Sequence, residues 1–232
     1  MNPGLLLLGF LLGMRHALES DHLAAVASLA TRSRSLGETI RQGAVWGLGH
    51  TLTLFLFGAV VLVTDRLVPE QLARGLEFAV GLMLLALGLD VLRRLRRERL
   101  HIHPHRHADG TLHLHLHARE ASHRHDHAHP GFPLRALVVG MMHGMAGSAA
   151  LILLTLKTVQ SPLTGLLYIA LFGLGSMAGM AAVSTVIAIP LRLSSQRMQR
   201  LHQGLTALVG VVTLGIGGHL VWQIGMVDGL LR

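Results

Sequence analysis

Arg15-His16-Ala17-Leu18-Glu19-Ser20-Asp21-His22 interrupts an apolar run that extends over Leu5 to Leu12 on one side and Leu23 to Leu29 on the other. Two imidazoles and a carboxylate in a His-x4-Asp-His spacing form a donor set that suits a divalent first-row transition metal. A central Asp or Arg costs about 2.5 to 3.5 kcal/mol at membrane depth, so this concentration of ionisable groups demands a partner or a ligand. Two readings compete. In the first, Arg15 and Glu19, four apart on a helix, neutralise each other and the histidines only hydrogen-bond neighbouring helices. In the second, His16, Asp21 and His22 handle an ion, with Arg15 and Glu19 in charge balance or gating. The first leaves Asp21 unexplained, and the second is preferred.

On one straight helix Asp21 would lie about 140° from His16, and His22 about 120° from it in the other sense. Either the helix is interrupted near Ser20, exposing backbone to a cavity, or the residues serve different partners. Two further histidines lie at comparable depth in other apolar blocks, His50 and His143. Both are candidates to complete a central metal site, whereas His202 and His219 lie near block ends and read as structural. Met14, Met141, Met142, Met145, Met177 and Met180 accompany these blocks. Thioether suits Cu(I), but Met is also a routine filler of irregular gaps, and a copper path would not need Asp21.

The elements that must position these groups are membrane helices. Hydrophobic residues make up 51% of the 232-residue chain, and they lie in six blocks near 4–30, 42–64, 76–92, 133–156, 163–191 and 203–224. A crossing needs about 20 residues; the third block must extend into its flanks. The first block reads as a span and not as a cleaved leader, because no basic segment precedes it. Net charge is +8, which in a soluble protein would suggest nucleic acid; its placement argues otherwise. Of the 20 Lys and Arg, 15 fall in the loops after blocks one, three and five, and four (Arg66, Arg74, Lys157 and Arg232) fall on the other side. The positive-inside rule then puts those three loops in the cytoplasm and both termini outside. There is no cysteine, so disulfides and thiolate sites are excluded.

An internal repeat runs through the chain. Gly13-Met14-Arg15-His16 is echoed by Gly140-Met141-Met142-His143, Gly47-Leu48-Gly49 by Gly173-Leu174-Gly175, and Val80-Gly81 by Val209-Gly210, at offsets of 127, 126 and 129. Three crossings per repeat makes the halves inverted, a common architecture of secondary transporters with substrate held near the midplane. The expected fold is therefore an all-α membrane protein of six transmembrane helices in two inverted three-helix repeats, 1–100 and 133–232, joined by a cytoplasmic His-rich loop, 101–132.

That loop holds 11 of the 17 histidines: His101, His103, His105, His107, His113, His115, His117, His123, His125, His127 and His129. The composition is that of a metal-binding tract. A hairpin turning at Ala108-Asp109-Gly110 would pair His105 with His113, His103 with His115 and His101 with His117, although Pro104 cannot donate to a ladder. The tail from Ala118 to Pro130 is expected to be disordered without metal. The loop lies outside every apolar block and is expected to buffer ions, not to translocate them.

His16-x4-Asp21-His22 resembles the signature of the nickel/cobalt transporter (NiCoT) family, and Gly47-Leu48-Gly49-His50-Thr51 resembles that family's second motif. His143-Gly144-Met145-Ala146-Gly147-Ser148-Ala149-Ala150 and Phe172-Gly173-Leu174-Gly175-Ser176 are similar to segments of its short six-helix, urease-accessory (UreH-type) nickel permeases. The resemblance implies metal handling by His16, Asp21, His22 and His50, with His143 as the repeat-related partner. The spacer Ala17-Leu18-Glu19-Ser20 departs from the family's Asp-containing one, and a cytoplasmic histidine loop is also found in bacterial nickel/cobalt exporters. Metal preference and direction thus stay open. The expectation is an inner-membrane secondary transporter of Ni2+ or Co2+, not an enzyme, without a permanently bound cofactor. Its partners are the lipid bilayer and divalent transition-metal ions, with room for a homo-oligomer or a metallochaperone and none for nucleic acid. Competing readings are an exporter of another metal or small solute of the lysine-exporter superfamily, a non-transporting metal-sensing or urease-accessory membrane protein, and an intramembrane zinc hydrolase. The last lacks a His-Glu-x-x-His spacing.

Overall fold

A computed structural model describes residues 3–33, 35–64, 69–99, 103–106, 112–115, 133–144 and 162–230. These form helices α1 (Pro3–His16), α2 (Ser20–Ala30), α3 (Leu36–Thr64), α4 (Glu70–Arg99), α5 (Leu134–Gly144), α6 (Pro162–Arg197) and α7 (Gln199–Trp222). A two-stranded hairpin, β1 (His103–Arg106) and β2 (Leu112–His115), falls between α4 and α5, and a π-type turn, Gln223–Val227, follows α7.

Four stretches are long and apolar enough to cross a membrane: Leu36–Val61, Glu70–Arg97, Leu163–Ser195 and Gln199–Val227. They correspond to the second, third, fifth and sixth apolar blocks, and α4 does extend the short third block into its flanks. The first block differs from a single span. It is two helices, α1 and α2, separated by Ala17-Leu18-Glu19. The fourth block is described only as far as Gly144.

The break after His16 contains neither proline nor glycine. The α1 carbonyls are taken up by tight i to i+3 bonds, Leu18 N–H to Arg15 O (2.9 Å) and Glu19 N–H to His16 O (3.1 Å). Glu19 is then extended (φ −64°, ψ 147°), and its carbonyl accepts the Leu23 N–H at 2.9 Å to start α2. Freed backbone groups are satisfied locally, as a membrane interior requires.

Helices meet through small residues. α1 packs on α6, α3 on α6 and α5, and α4 on α7. A Cβ on Gly13 would come within 2.0 Å of the Phe172 carbonyl oxygen, and one on Gly140 within 2.0 Å of the Trp46 carbonyl oxygen. Gly49 faces Leu137 and Met141 backbone, and Gly175 faces Phe10 and Met14 backbone. In the outer pair, Gly81 lies against the Gly217 carbonyl and Gly88 against that of Gly210. Such close approach is how helices associate where lipid supplies no hydrophobic driving force.

The buried core joins Ala25 and Leu29 of α2, Trp46 of α3, Leu84 of α4, Val139 of α5 and Met180 of α6. Ser28 and Thr213 hydroxyls, 2.9 Å apart, tie α2 to α7. At the end of α2, Arg32 pairs with Asp90 of α4, which also lies 3.5 Å from Arg94 and 3.6 Å from Arg135 of α5. Leu7, Leu11, Leu52, Leu56, Val186, Leu208 and Val211 are exposed on the bundle. An apolar surface of that extent suits lipid and not water; the chain is a multi-pass membrane protein.

In the hairpin the register pairs His103 with His115 and His105 with His113, the pairs expected from the alternation, and Pro104 sits opposite Leu114. The third pair, His101 with His117, and the tail from Ala118 lie outside the described residues, as does the turn at Ala108-Asp109-Gly110.

Candidate metal centre

The break between α1 and α2 removes the angular conflict of a straight helix. His16 occupies the last turn of α1, and Asp21 and His22 the first turn of α2, from which they turn back toward the same interior. His50 enters from α3 and His143 from the end of α5. All five sequence candidates are brought together. His16, His22, His50 and His143 are 5%, 2%, 0% and 1% exposed, so their rings are shielded from bulk solvent.

His22 is the hub. Its ring centroid is 4.4 Å from that of His16, 5.3 Å from His50 and 4.6 Å from His143. His16 and His50 are 5.1 Å apart.

Carboxylates orient two of the rings. His16 Nδ1 is 2.8 Å from Glu19 Oε1, and His22 Nδ1 is 3.1 Å from Asp21 Oδ1. An ionised carboxylate only accepts, so each Nδ1 donates and each Nε2 is left with a free lone pair. Fixing the tautomer in this way is what carboxylates do behind metal-ligating histidines. The second Asp21 oxygen lies 3.2 Å from His143 Nε2, close but not aligned for a hydrogen bond. His16 Nε2, His22 Nε2 and both ring nitrogens of His50 and His143 are buried without a hydrogen-bond partner. Buried polar atoms are rarely left so, and a divalent cation would take up one nitrogen of each ring that binds it.

The i,i+4 pairing of Arg15 with Glu19 that the competing reading invoked does not form, because the helix ends before Glu19, whose carboxylate turns to His16. Among the described residues Arg15 is exposed and has no ion pair. His202 bonds Leu191 O (3.0 Å) and faces Ser194 Oγ (3.3 Å), a structural role as expected. Of the methionines, Met180 is in the core, Met177 lies against Gly47, Met14 and Met141 are exposed, and Met145 lies outside the described residues. Of the loop histidines, His103, His105, His113 and His115 are on the hairpin, and His101, His107, His117, His123, His125, His127 and His129 lie outside the described residues.

Two aromatic residues at the site were not among the site candidates read from the sequence. The Phe172 ring is 5.4 Å from His16, and the Trp46 ring is 5.5 Å from both His22 and His143. Each stands immediately before a repeated Gly-Leu-Gly, Trp46 before Gly47 and Phe172 before Gly173, and that shared position was the available signal.

The profile of the NicO family, described as high-affinity nickel-transport protein, matches residues 3–189. The chain belongs to the NicO family. This is a family of transporters and not of enzymes, and it makes Ni2+ the substrate its members carry. The chain is 34% identical over 229 residues to the urease accessory protein UreH of Bacillus sp. (strain TB-90), covering 98% of this chain and 95% of that protein. It is also similar to two proteins of Arabidopsis thaliana, chloroplast protein FOR GROWTH AND FERTILITY 1 (28% identical, 92% of this chain) and 2 (26%, 90% of this chain). The chain spans only 57% and 54% of those two. No solved structure matches.

Proposed function

We propose that the chain is a secondary transporter that carries Ni2+, and Co2+ as an alternative ion, across the inner membrane through the site formed by His16, Asp21, His22, His50 and His143. The observation that carries this reading is the set of buried, partnerless ring nitrogens gathered around His22. Imidazole nitrogens with one carboxylate oxygen match the preferences of Ni2+ and Co2+. Stabilising an ion there offsets the cost of burying those groups without partners.

The proposed architecture is six crossings in two inverted repeats, 1–100 and 133–232, with 101–132 as the linking loop. Reciprocal contacts support it. Gly13 on Phe172 is matched by Gly140 on Trp46, Gly49 on Leu137 by Gly175 on Phe10, and Gly81 on Gly217 by Gly88 on Gly210. In each case the first contact becomes the second when the two halves are exchanged at the repeat offsets. The first crossing is α1 with α2, about 40 Å for 28 residues at helical rise, interrupted where transporter helices commonly carry their ion site. Both termini face outward and the loop faces the cytoplasm, where its histidines buffer the ion. The urease-accessory role named for the Bacillus protein is extended to this chain as supply of the metal to such an enzyme.

The test is flux of radioactive nickel in proteoliposomes. The wild type should carry Ni2+, compete with Co2+, and require neither ATP nor another protein.

A further inference from the structure

The donors of the site fall into two sets, each with its atoms within 4.8 Å of one another: His16, His22 and His50, and Asp21, His22 and His143. Only His22 belongs to both. The sets also differ in chemistry. The first is three buried imidazoles, whereas the second contains a carboxylate that is 25% exposed.

We infer that the ion is passed between two overlapping three-donor stations, with His22 as the ligand common to both and His143 as the residue that makes the second station. The inference rests on the proposed transport function. Conduction requires binding strong enough to admit an ion and divided enough to release it, which a single five-donor cage would not provide. With a shared imidazole the ion exchanges His16 and His50 for Asp21 and His143 without losing every protein ligand at once. His16 and His143 are equivalent under the repeat, yet each belongs to a different station, so the two stations lie on opposite sides of the exchange. The carboxylate offsets part of the ion's charge at the second station, making it the tighter of the two.

The test uses Co2+, whose visible absorption reports its ligands, on the full-length chain with its eleven loop histidines changed to Gln. This protein should bind one Co2+ at the core. His50→Gln should still bind one Co2+ with affinity close to that of the parent through the second station, whereas His143→Gln should bind one Co2+ 10- to 100-fold more weakly through the first; their spectra should differ from each other, and each should lose at least tenfold in flux. The Asn variants at both positions repeat the comparison on monodisperse protein, so that one poorly folded variant does not decide it. Complete loss of Co2+ binding in either single variant, identical spectra, or full flux with either would overturn the relay. Failure of the loop-substituted protein itself to bind Co2+ would overturn the transport reading beneath it.

Discussion

Gly13 of α1 rests so closely on Phe172 of α6 that a side-chain carbon would come within 2.0 Å of the Phe172 carbonyl oxygen. The contact brings the helix end carrying His16 against α6, and Ser176 adds a hydrogen bond to the Gly13 carbonyl at 3.2 Å. A Gly13→Val or Gly140→Val substitution should therefore push two backbones apart. The expected cost is at least the 1 to 3 kcal/mol typical of overpacking, read as a lower melting temperature in detergent. Gly204→Ala, at a position with nothing within 4 Å, should be neutral or stabilising by up to about 1 kcal/mol, because alanine is the better helix former.

Glu19 holds the His16 tautomer through Nδ1. Glu19→Gln keeps an acceptor oxygen and should change apparent nickel affinity little. Glu19→Leu removes the acceptor and should weaken it by about tenfold or more, measured as the concentration for half-maximal flux. Equal behaviour of the two variants would assign Glu19 to charge balance alone.

The candidate metal site was legible in the sequence because three of its donors are local: His-x4-Asp-His needs only seven residues, and the repeat points from His16 to His143. The hairpin register was also legible, since period-two alternation on both sides of Asp109-Gly110 admits few pairings. The interruption expected near Ser20 lies at Ala17 to Glu19, directly before it; no helix breaker marks it, and Glu19 turns its carboxylate to His16. The Asp90 hub was hidden in an apolar run, and its partners Arg32 and Arg135 are distant in sequence and are brought together only by folding.

The distribution of Lys and Arg predicts topology. A reporter fused after Arg232 should behave as periplasmic, and one inserted at Asp109 as cytoplasmic. Both on one side of the membrane would contradict the inverted arrangement.

The loop should contribute capacity and not passage. Replacing residues 101–129 by a flexible linker should leave maximal flux within about twofold while raising the nickel concentration needed to reach it. Metal held by the loop in the intact protein should be lost as pH falls through about 6.5, where unperturbed histidines gain the proton that displaces the ion. Nickel flux into proteoliposomes measures the first effect, and equilibrium dialysis of the two proteins across pH 5.5 to 7.5 the second.

The most direct measurement is nickel flux into proteoliposomes by wild type, His16→Gln, Asp21→Asn and His22→Gln at equal amounts of reconstituted, monodisperse protein. The account predicts robust flux for the wild type and a loss of at least tenfold for each variant, largest for His22→Gln, whose ring touches every other histidine of the site. Wild-type flux in all three variants would contradict it and return these side chains to a purely structural role.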